Sequence, residues 1–505
     1  MRVRSRWLAG AACLALSSVA ATTFAREQGA RQKFPSGSQL SLPNGVTVSS
    51  ACDQSNSATP VQHITFSARS SHTFLGYGVN VQAAKAAVDI PRTIDDLHKL
   101  GFVWVRTSLG KEDGPAQPSL TDTEDEADAD TREQVADTGA PSAQRRLYAA
   151  LHAAGIKVVA WIGHPPMEFF DQGSAKNGKQ GRRIKEDAIA RLAQYYANYL
   201  RTLTQQGVHA DLVELINEPN LGQNGKYRPE LLAQLVAGVE KDLNDAHLSV
   251  GLAAPGTAAR IPRSARFVEA MQRQGALAAL KAISIHTYYV RDKANGPPVP
   301  PADDTEFQSL VTAAHNQNLP LISTEFGGTD VKTKKIDLSR ESVDAAEELK
   351  AALDLIRAGE SAAIVWNLYP NHNFGGLMST WALIDDKGPT NAYWPFYILS
   401  RKVLVGSDVL AIEHSDVSAA FTSLGYAAFR SGHHTYIGLS NPARVGTATI
   451  ALDLSHLGPV SLSHVASFVP AGALDKDAKI TLGTCPLTVR IPNGTGAVLD
   501  LDQLR

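Results

Sequence analysis

Two glutamates of this sequence lie at the ends of apolar runs, where a carboxylate is well placed to do chemistry. Residues 213–220 read Val-Glu-Leu-Ile-Asn-Glu-Pro-Asn, so an apolar run ends in Asn217 and Glu218 before a proline. Proline cannot donate a hydrogen bond to a continuing sheet, and we therefore expect a strand to stop at Asn217 and Glu218 and to present both side chains. Glu325 ends a second apolar run, residues 321–325. A solvated loop carboxylate is the alternative interpretation, and the surrounding elements decide between the two.

The chain from residue 72 to residue 405 alternates short apolar runs with amphipathic segments of helical period, which is typical of βα units. Predicted strands cover residues 75–80, 102–106, 158–164, 213–218, 249–253, 282–286, 321–325 and 363–367. Predicted helices cover residues 91–100, 143–154, 186–203, 228–246, 265–279, 307–315, 340–357 and 393–403. Eight units predict an α/β fold, a (β/α)8 TIM barrel. An open doubly wound sheet is the alternative, but no glycine-rich phosphate loop follows the first strand.

Polar and aromatic side chains follow these predicted strands at their carboxyl ends: Asn80, Arg106, His164, Asn217, Glu218, His286, Tyr288, Glu325, Trp366 and Asn367. In a barrel of parallel strands, catalytic residues lie at that end and the opposite end serves stability. Two glutamates on separate strands suit glycoside hydrolysis, which needs an acid to protonate the leaving oxygen and a carboxylate to attack the sugar. No HExxH zinc helix, Gly-x-Ser-x-Gly elbow or phosphate loop indicates another chemistry.

The sequence at this point resembles clan A glycoside hydrolases, which are retaining (β/α)8 enzymes with a glutamate on each of strands four and seven. The resemblance covers residues 72–405 and rests on Asn217-Glu218-Pro219 after the fourth predicted strand and on Glu325 after the seventh. It implies that Glu218 is the general acid/base, that Glu325 is the nucleophile of a glycosyl-enzyme intermediate, and that no metal or organic cofactor is needed. Further matches to the clan pattern are Arg106, His286, Tyr288 and Trp366.

Within the clan, two families are equally near. Glu214 before the acid/base and Asn220 after it resemble the β-xylosidase/α-L-iduronidase family, which often joins its barrel to a β-sandwich. That family commonly has Trp where Ile216 and Phe326 stand here. The cellulase-type family is the other neighbour, so the sequence leaves the sugar, the linkage and the choice of endo or exo cleavage open.

The physical chemistry of such a reaction gives several residues an expected role. Hydrogen bonds from Arg106 and Tyr288 would favour the ionised form of Glu325. The charge of Glu325 would in turn favour a protonated Glu218. Asn217 is expected to bind the sugar 2-hydroxyl, an interaction that strengthens in the transition state.

The other candidates for substrate binding have structural alternatives. The indole of Trp366 offers a ring face to the apolar side of a pyranose, or it is a core aromatic. His164 and His286 either contact the substrate or are structural histidines. Asn80 is a further candidate because it ends the first predicted strand. The expected partner is an oligo- or polysaccharide, and the formal charge of −2 gives no indication of nucleic acid binding. A non-catalytic carbohydrate-binding protein on the same scaffold is the alternative function.

The ends of the chain lie outside the predicted barrel. Arg2, Arg4 and Arg6 precede an apolar stretch, residues 7–21, and Thr-Phe-Ala at 23–25 resembles a cleavage site, so residues 1–25 are predicted to be a secretory signal. The apolar stretch is short and contains Ser17 and Ser18, which disfavours the alternative of a membrane anchor. The mature protein is expected to be secreted or periplasmic.

A small all-β sandwich is predicted for residues 406–505, because the helical period disappears and short strands alternate with turns. The N-terminal segment, residues 26–71, carries strands around 40–42, 46–48 and 61–66 that are expected to join this sandwich. Cys52 and Cys485 are the two cysteines beyond the signal, and they form a disulfide candidate. Two unpaired thiols are the alternative.

Two insertions after predicted strands are expected near the active face. Residues 122–137 are strongly acidic, which is typical of a solvated loop, with a calcium site as the alternative. Residues 167–187 carry Lys176, Lys179, Arg182, Arg183 and Lys185. This basic insertion suggests a preference for an anionic polysaccharide, and a solvated approach to the next helix is the alternative.

Charge reversal tests the hypothesis for the basic insertion. We expect the double variant Arg182→Glu, Arg183→Glu to lower activity several-fold on uronate-bearing glycans relative to neutral glycans, because like charges repel. The measurement is the ratio of initial rates on the two kinds of polysaccharide. An unchanged ratio would contradict the hypothesis.

Overall fold

The computed structural model describes residues 39–50, 61–109, 140–162, 165, 167–171, 183–221, 224–258, 261–288, 304–327, 342–370, 382–417, 424–443, 446–469, 472–483 and 486–504. Several predictions fall outside these ranges and stay predictions: the signal peptide at residues 1–25, the acidic insertion at 122–137, His164, Arg182, and the cysteine pair Cys52 and Cys485.

Eight parallel strands close into a barrel, which confirms the predicted (β/α)8 architecture and excludes the open doubly wound sheet. They follow three N-terminal strands, β1 (Leu40–Ser41), β2 (Thr47–Ser50) and β3 (Gln62–Thr73). The barrel strands are β4 (Gly76–Asn80), β5 (Trp104–Leu109), β6 (Lys157–Ile162), β7 (Leu212–Glu214), β8 (Leu252–Thr257), β9 (Leu280–Tyr288), β10 (Leu321–Gly327) and β11 (Ala362–Val365). Each barrel strand pairs in parallel with the next, and β11 closes the ring on β4.

Helices connect the barrel strands: α1 (Ala83–Val88), α2 (Ile90–Leu100), α3 (Ala140–Ala153), α4 (Ile189–Gln205), α5 (Pro229–Asp245), α6 (Ile261–Arg273), α7 (Thr305–Asn316), α8 (Ser342–Ala358) and α9 (Tyr393–Leu399). Local sequence sets the ends of α2, where the Asp89 side chain accepts from the Arg92 amide and Gly101 adopts a left-handed φ of 71°. None of the described helices is both long and apolar enough to cross a membrane.

Several elements differ from the sequence expectation. The short helix α1 was not predicted, and β8 lies at 252–257 instead of 249–253. β8 continues through Pro255 and Gly256, a pair that usually marks a turn in sequence. Pro255 and Thr257 pair with β9, and the register shifts between them, so Gly256 lies in a bulge of the strand.

The second layer of structure is an eleven-stranded sheet that contains the three N-terminal strands, as predicted. After the hairpin β12 (Ile384–Asp385) and β13 (Gly388–Pro389), its strands are β14 (Asp408–Ser415), β15 (Gly425–Ser431), β16 (His434–Asn441), β17 (Thr447–Asp453), β18 (Val460–Val469), β19 (Gly472–Gly483), β20 (Leu487–Pro492) and β21 (Thr495–Gln503). The strand order is β1-β2-β20-β17-β3-β14-β15-β16-β21-β18-β19. Its two ends meet, because Asn44 beside β2 donates to Ser467 of β18 at 2.7 Å. The sheet therefore folds over as the predicted sandwich.

The barrel interior is filled in layers. Eight buried apolar side chains form one cluster across the strands: Trp104, Val159, Leu212, Ala253, Ala282, Ile322, Ala362 and Ile364. Because side chains alternate along a strand, the residue two positions farther on points to the same interior. Two positions beyond Trp104, Leu212, Ala282 and Ile322 stand Arg106, Glu214, Ser284 and Thr324. The apolar layer therefore supports a polar layer nearer the carboxyl ends of the strands.

Helix α8 joins the barrel to the sandwich. A Cβ added at Gly425 of β15 would lie 2.7 Å from the Lys350 backbone of α8, so only glycine permits this approach. Ser440 of β16 donates to the Ala346 carbonyl at 2.6 Å. The helix also packs against β10 and β11 of the barrel, so both of its faces are covered by protein. Its buried carboxylate Asp354 is paired with Lys350 and Arg357.

Glu360 is a buried carboxyl that precedes β11, at the amino end of the barrel strands. Its effect on stability can be tested. Burial raises the pKa of Glu360 well above its usual value, so the carboxyl stays protonated in the folded protein at pH values where the unfolded chain ionises it. Above about pH 4.3, each pH unit then costs the folded state about 1.4 kcal/mol, until the raised pKa is reached. We expect Glu360→Gln to remove this penalty.

The measurement is the free energy of urea unfolding of wild type and Glu360→Gln at pH 4.5, 5.5 and 6.5. The advantage of the variant should increase as the pH rises. Glu306→Gln, at an exposed position of α7, is the matched control and should show no such slope. A constant difference at all three pH values would contradict the prediction.

Candidate active site

The fourth barrel strand stops earlier than the sequence suggests. β7 ends at Glu214, so the prediction that it continues to Asn217 and Glu218 is wrong. Leu215 and Ile216 are buried in the core beyond the sheet. An apolar run in sequence cannot distinguish burial in a ladder from burial under a turn.

The turn after β7 places the Glu218 carboxylate beside the sixth barrel strand. Glu218 has a positive φ of 49°, and its amide donates to the Gly256 carbonyl of β8 at 2.9 Å. Its Oε1 lies 3.3 Å from Nδ1 of His286 on β9. The side chain of Glu218 is 16% exposed, which leaves it accessible at the mouth of the barrel.

Arg106 connects most of the predicted site residues. It lies within β5 rather than after it, and only 1% of its surface is exposed. Its hydrogen bonds go to Glu214 (Nε, 2.7 Å), Asn80 (Nη1, 3.1 Å), Glu325 (Nη1), Asn217 (Nη2, 2.7 Å) and His286 (Nη2, 3.4 Å). These bonds match the donor capacity of a guanidinium. The Arg106 guanidinium, which the sequence offered as a candidate for substrate binding, is thus fully occupied by protein partners and holds Glu214, Glu325 and Asn217 together.

Glu325 accepts a hydrogen bond on each carboxylate oxygen. Nη1 of Arg106 donates to Oε1, and the Tyr288 hydroxyl donates to Oε2 at 2.6 Å. Both contacts were expected from the sequence. Burial and the charge of Glu325 raise the pKa of Tyr288 well above its usual value, so the phenol keeps its proton and remains a donor.

His286 lies between the two glutamates. Its Nδ1 is 3.3 Å from Oε1 of Glu218 and 3.4 Å from Oε2 of Glu325. Because Arg106 can only donate, Nε2 of His286 is the acceptor and the neutral ring carries its proton on Nδ1. Burial lowers the pKa of His286, but the charge of Glu325 and the hydrogen bond to Glu218 outweigh it and raise the pKa.

A bulge in β10 brings two consecutive side chains into the same interior. The pairing register of β10 shifts between Ser323 and Glu325 on the β9 side. Thr324 then donates to Oε1 of Glu214 at 2.6 Å, while Glu325 bonds to Arg106. Consecutive residues of a regular strand point to opposite faces, so the bulge is what permits both contacts.

The polar layer carries buried charge of both signs. Burial acts to raise the pKa of Glu214, but the charges of Arg106 and His286 and the hydrogen bond from Thr324 lower it, so Glu214 is ionised. For Arg106, burial acts to lower the pKa and the two carboxylates raise it above its usual value. The ion pairs of this layer therefore offset the cost of burying its charges.

The remaining predicted residues lie around this network. Asn80 bonds the Thr324 carbonyl at 3.1 Å and the Val365 carbonyl at 3.3 Å, which ties the first strand to the seventh and eighth. Trp366 follows β11 and is partly exposed, and its peptide bond to Asn367 is cis. Oδ1 of Asn217 accepts from Arg106, so its NH2 group is the end that can donate.

Sequence reasoning missed the lower part of the site. Thr324, Ser284 and Trp161 were read only as strand residues. Thr324 bonds Glu214, Ser284 faces the same carboxylate, and the Trp161 ring lies 5.9 Å from the Arg106 guanidinium. A period-two count from the predicted strand ends would have placed Ser284 on the face of His286. The bulge at Thr324 has no comparable signal in sequence.

Among the residues that the structure describes, two groups of side chains have donor atoms close enough to coordinate a cation. They are Glu218, His286 and Glu325 in the barrel, and His434, Asp500 and Asp502 on the sandwich. In each group one donor atom per residue lies within 4.8 Å of the others. In the barrel, hydrogen bonds already organise these donors.

Comparison with protein-family models and with curated protein sequences finds no match. Solved structures do match over most of the chain. The catalytic domain of a family 30 xylanase C from Talaromyces cellulolyticus superposes with a TM-score of 0.61 at 15% identity, covering 87% of this chain and 100% of that chain. An endo-β-1,6-glucanase gives 0.60 at 16% identity, covering 89% and 95%. A family 39 enzyme from Xanthomonas axonopodis pv. citri gives 0.52 at 12% identity, covering 89% and 98%.

The fold is that of clan A glycoside hydrolases. The resemblance read from Asn217-Glu218-Pro219 and Glu325 is thereby confirmed at the level of the fold. It extends beyond residues 72–405, because the matches cover 87% to 89% of this chain.

Replacing Arg106 tests the buried network. We expect Arg106→Met to lower the free energy of unfolding by about 3–5 kcal/mol, because Glu214 and Glu325 would be left buried without their shared cation. Arg273→Met is the matched control, since its bonds to Glu230 and Glu269 are exposed and should contribute less than about 1 kcal/mol. Chemical denaturation measures both, and a similar small loss in the two variants would contradict the prediction.

Proposed function

We propose that this protein is an exported, retaining glycoside hydrolase that cleaves a β-linked oligo- or polysaccharide. The observation that carries the proposal is the proximity of two glutamates at the carboxyl end of the barrel. One carboxylate oxygen of Glu218 and one of Glu325 lie within 4.8 Å of each other. This spacing fits the ~5–5.5 Å separation of retaining enzymes better than the ~6.5–9.5 Å of inverting ones.

Glu325 has the surroundings of a nucleophile. It is 5% exposed, and it accepts from Arg106 and Tyr288, two donors that favour a carboxylate. In the first step an oxygen of Glu325 attacks the anomeric carbon, and the bond from that carbon to the leaving oxygen breaks. The product of this step is a glycosyl ester on Glu325.

Glu218 has the surroundings of an acid/base. Its carboxyl is the more exposed of the two and carries no arginine contact among the described residues. It gives its proton to the leaving oxygen in the first step. In the second step it takes a proton from the water that hydrolyses the ester, which returns both glutamates to their initial states.

Two observations support a polysaccharide substrate: the names of proteins that share the fold, and the side chains at the mouth of the barrel. By their names, two proteins that share this fold are a xylanase and an endo-β-1,6-glucanase, and the second name specifies a β-linked polysaccharide. The NH2 group of Asn217 can donate to a sugar hydroxyl beside Glu218. Trp366 and Trp161 are partly exposed and offer ring surfaces to a sugar. Export rests on the predicted signal at residues 1–25.

Variants of the two glutamates test the mechanism with an activated aryl β-glycoside. We expect Glu325→Ala to lose at least about a thousand-fold in kcat, since no ester can form. Azide should restore turnover of Glu325→Ala with an α-glycosyl azide as product, and turnover of Glu218→Ala with a β-glycosyl azide. Proton NMR of the wild-type reaction should show the β-anomer first.

Glu269→Gln, at an exposed position of α6, is the control and should retain wild-type rates. A wild type that is no faster than Glu325→Ala on every aryl glycoside would favour a non-catalytic carbohydrate-binding protein. A first product of inverted configuration would contradict retention.

A further inference from the structure

Glu214 is a third buried carboxylate at the site, and the proposed reaction leaves it without a role. It ends β7 and is 1% exposed. Oε2 of Glu214 accepts from Nε of Arg106 at 2.7 Å, and Oε1 accepts from Thr324 at 2.6 Å. Burial opposes the negative charge of Glu214, but Arg106, Thr324 and His286 of β9 outweigh it and lower its pKa.

The fold makes room for this carboxylate. A Cβ added at Gly256 of β8 would lie 3.0 Å from Oε1 of Glu214, tighter than an ordinary contact. The φ of Gly256 is +55°, which glycine adopts without strain. The carbonyl of Gly256 also accepts a hydrogen bond from the Glu218 amide. One residue of β8 therefore holds the turn that carries Glu218 and leaves space for the Glu214 carboxylate.

Burying the Glu214 carboxylate costs free energy, and the ion pair between Arg106 and Glu325 could form without it. Arg106 could pair with Glu325 alone, and a second buried carboxylate adds the free energy of its own desolvation. Arg106 carries a single positive charge, and it faces Glu214 through Nε and Glu325 through Nη1. The positive charge that reaches Glu325 is therefore partly compensated by Glu214.

Compensation matters for a nucleophile. A carboxylate paired with an uncompensated arginine in a low-dielectric site is strongly stabilised, and a more stable carboxylate attacks carbon more slowly. We propose that Glu214 is a positioning residue for the glycosidase reaction, which holds Arg106 and divides its charge between two carboxylates so that Glu325 stays reactive. This inference rests on the proposed function and deepens it.

The test is the pH profile of kcat/KM of Glu214→Gln on an aryl β-glycoside that the wild type hydrolyses. Without the charge of Glu214, Arg106 acts on Glu325 alone and favours its ionised form. We therefore expect the acid limb to move to lower pH by about one unit. We expect kcat/KM at the optimum to fall about ten-fold, because the nucleophile is weaker.

Two variants separate this effect from a loss of stability. Glu214→Asp keeps the charge and should leave the acid limb at its wild-type position, even where its shorter side chain lowers the rate. Asp354→Asn on α8 removes a different buried carboxylate, one that pairs with Lys350 and Arg357, and should leave both the limb and the rate unchanged. An acid limb that does not move in Glu214→Gln would show that Glu214 is merely structural.

A second measurement does not depend on activity. In protein labelled with carbon-13 at the glutamate carboxyls, the signal of Glu325 is assigned with Glu325→Gln and titrated in wild type and in Glu214→Gln. A lower midpoint for Glu325 in Glu214→Gln supports the inference, and an unchanged midpoint overturns it. A wild type that hydrolyses no glycoside would instead contradict the proposed function, while this titration would still decide whether Glu214 tunes Glu325.

Discussion

The buried positive charge of Arg106 is the constraint on which the rest of the site depends. A guanidinium in the interior of a barrel needs an acceptor for each donor and negative charge to offset its own. Glu214, Glu325 and Asn217 supply these from the fourth strand, the seventh strand and the turn after β7. Satisfying one cation thus fixes the relative positions of side chains that lie far apart in sequence.

The layered interior explains how the barrel tolerates this charge. The apolar cluster that includes Trp104, Leu212 and Ile322 fills the interior below and keeps the packing dense. The polar layer begins two residues farther along the same strands and bonds mainly within itself. Glu218 lies above it on a turn and is more exposed than Glu325. The buried carboxylate and the accessible one are therefore suited to different chemical tasks.

Helix α8 holds the barrel and the sandwich together. One of its faces packs on β10 and β11 of the barrel and the other packs on the sandwich. Close contacts such as Gly425 with Lys350 leave little space between the two layers. The N-terminal strands complete the same sheet, so the segments before and after the barrel fold together and brace it.

The sequence by itself determined the periodic features and the residues that end them. Alternating apolar runs and helical segments gave the eight βα units, the N-terminal strands and the sandwich, because burial on one face imposes a period on the chain. Asn217, Glu218 and Glu325 could be recognised because polar residues end apolar runs there. The tertiary structure alone decided that β7 stops at Glu214, that β10 has a bulge at Thr324, and that Arg106 bonds two carboxylates. These features depend on contacts between strands roughly a hundred residues apart, and such contacts leave no local pattern.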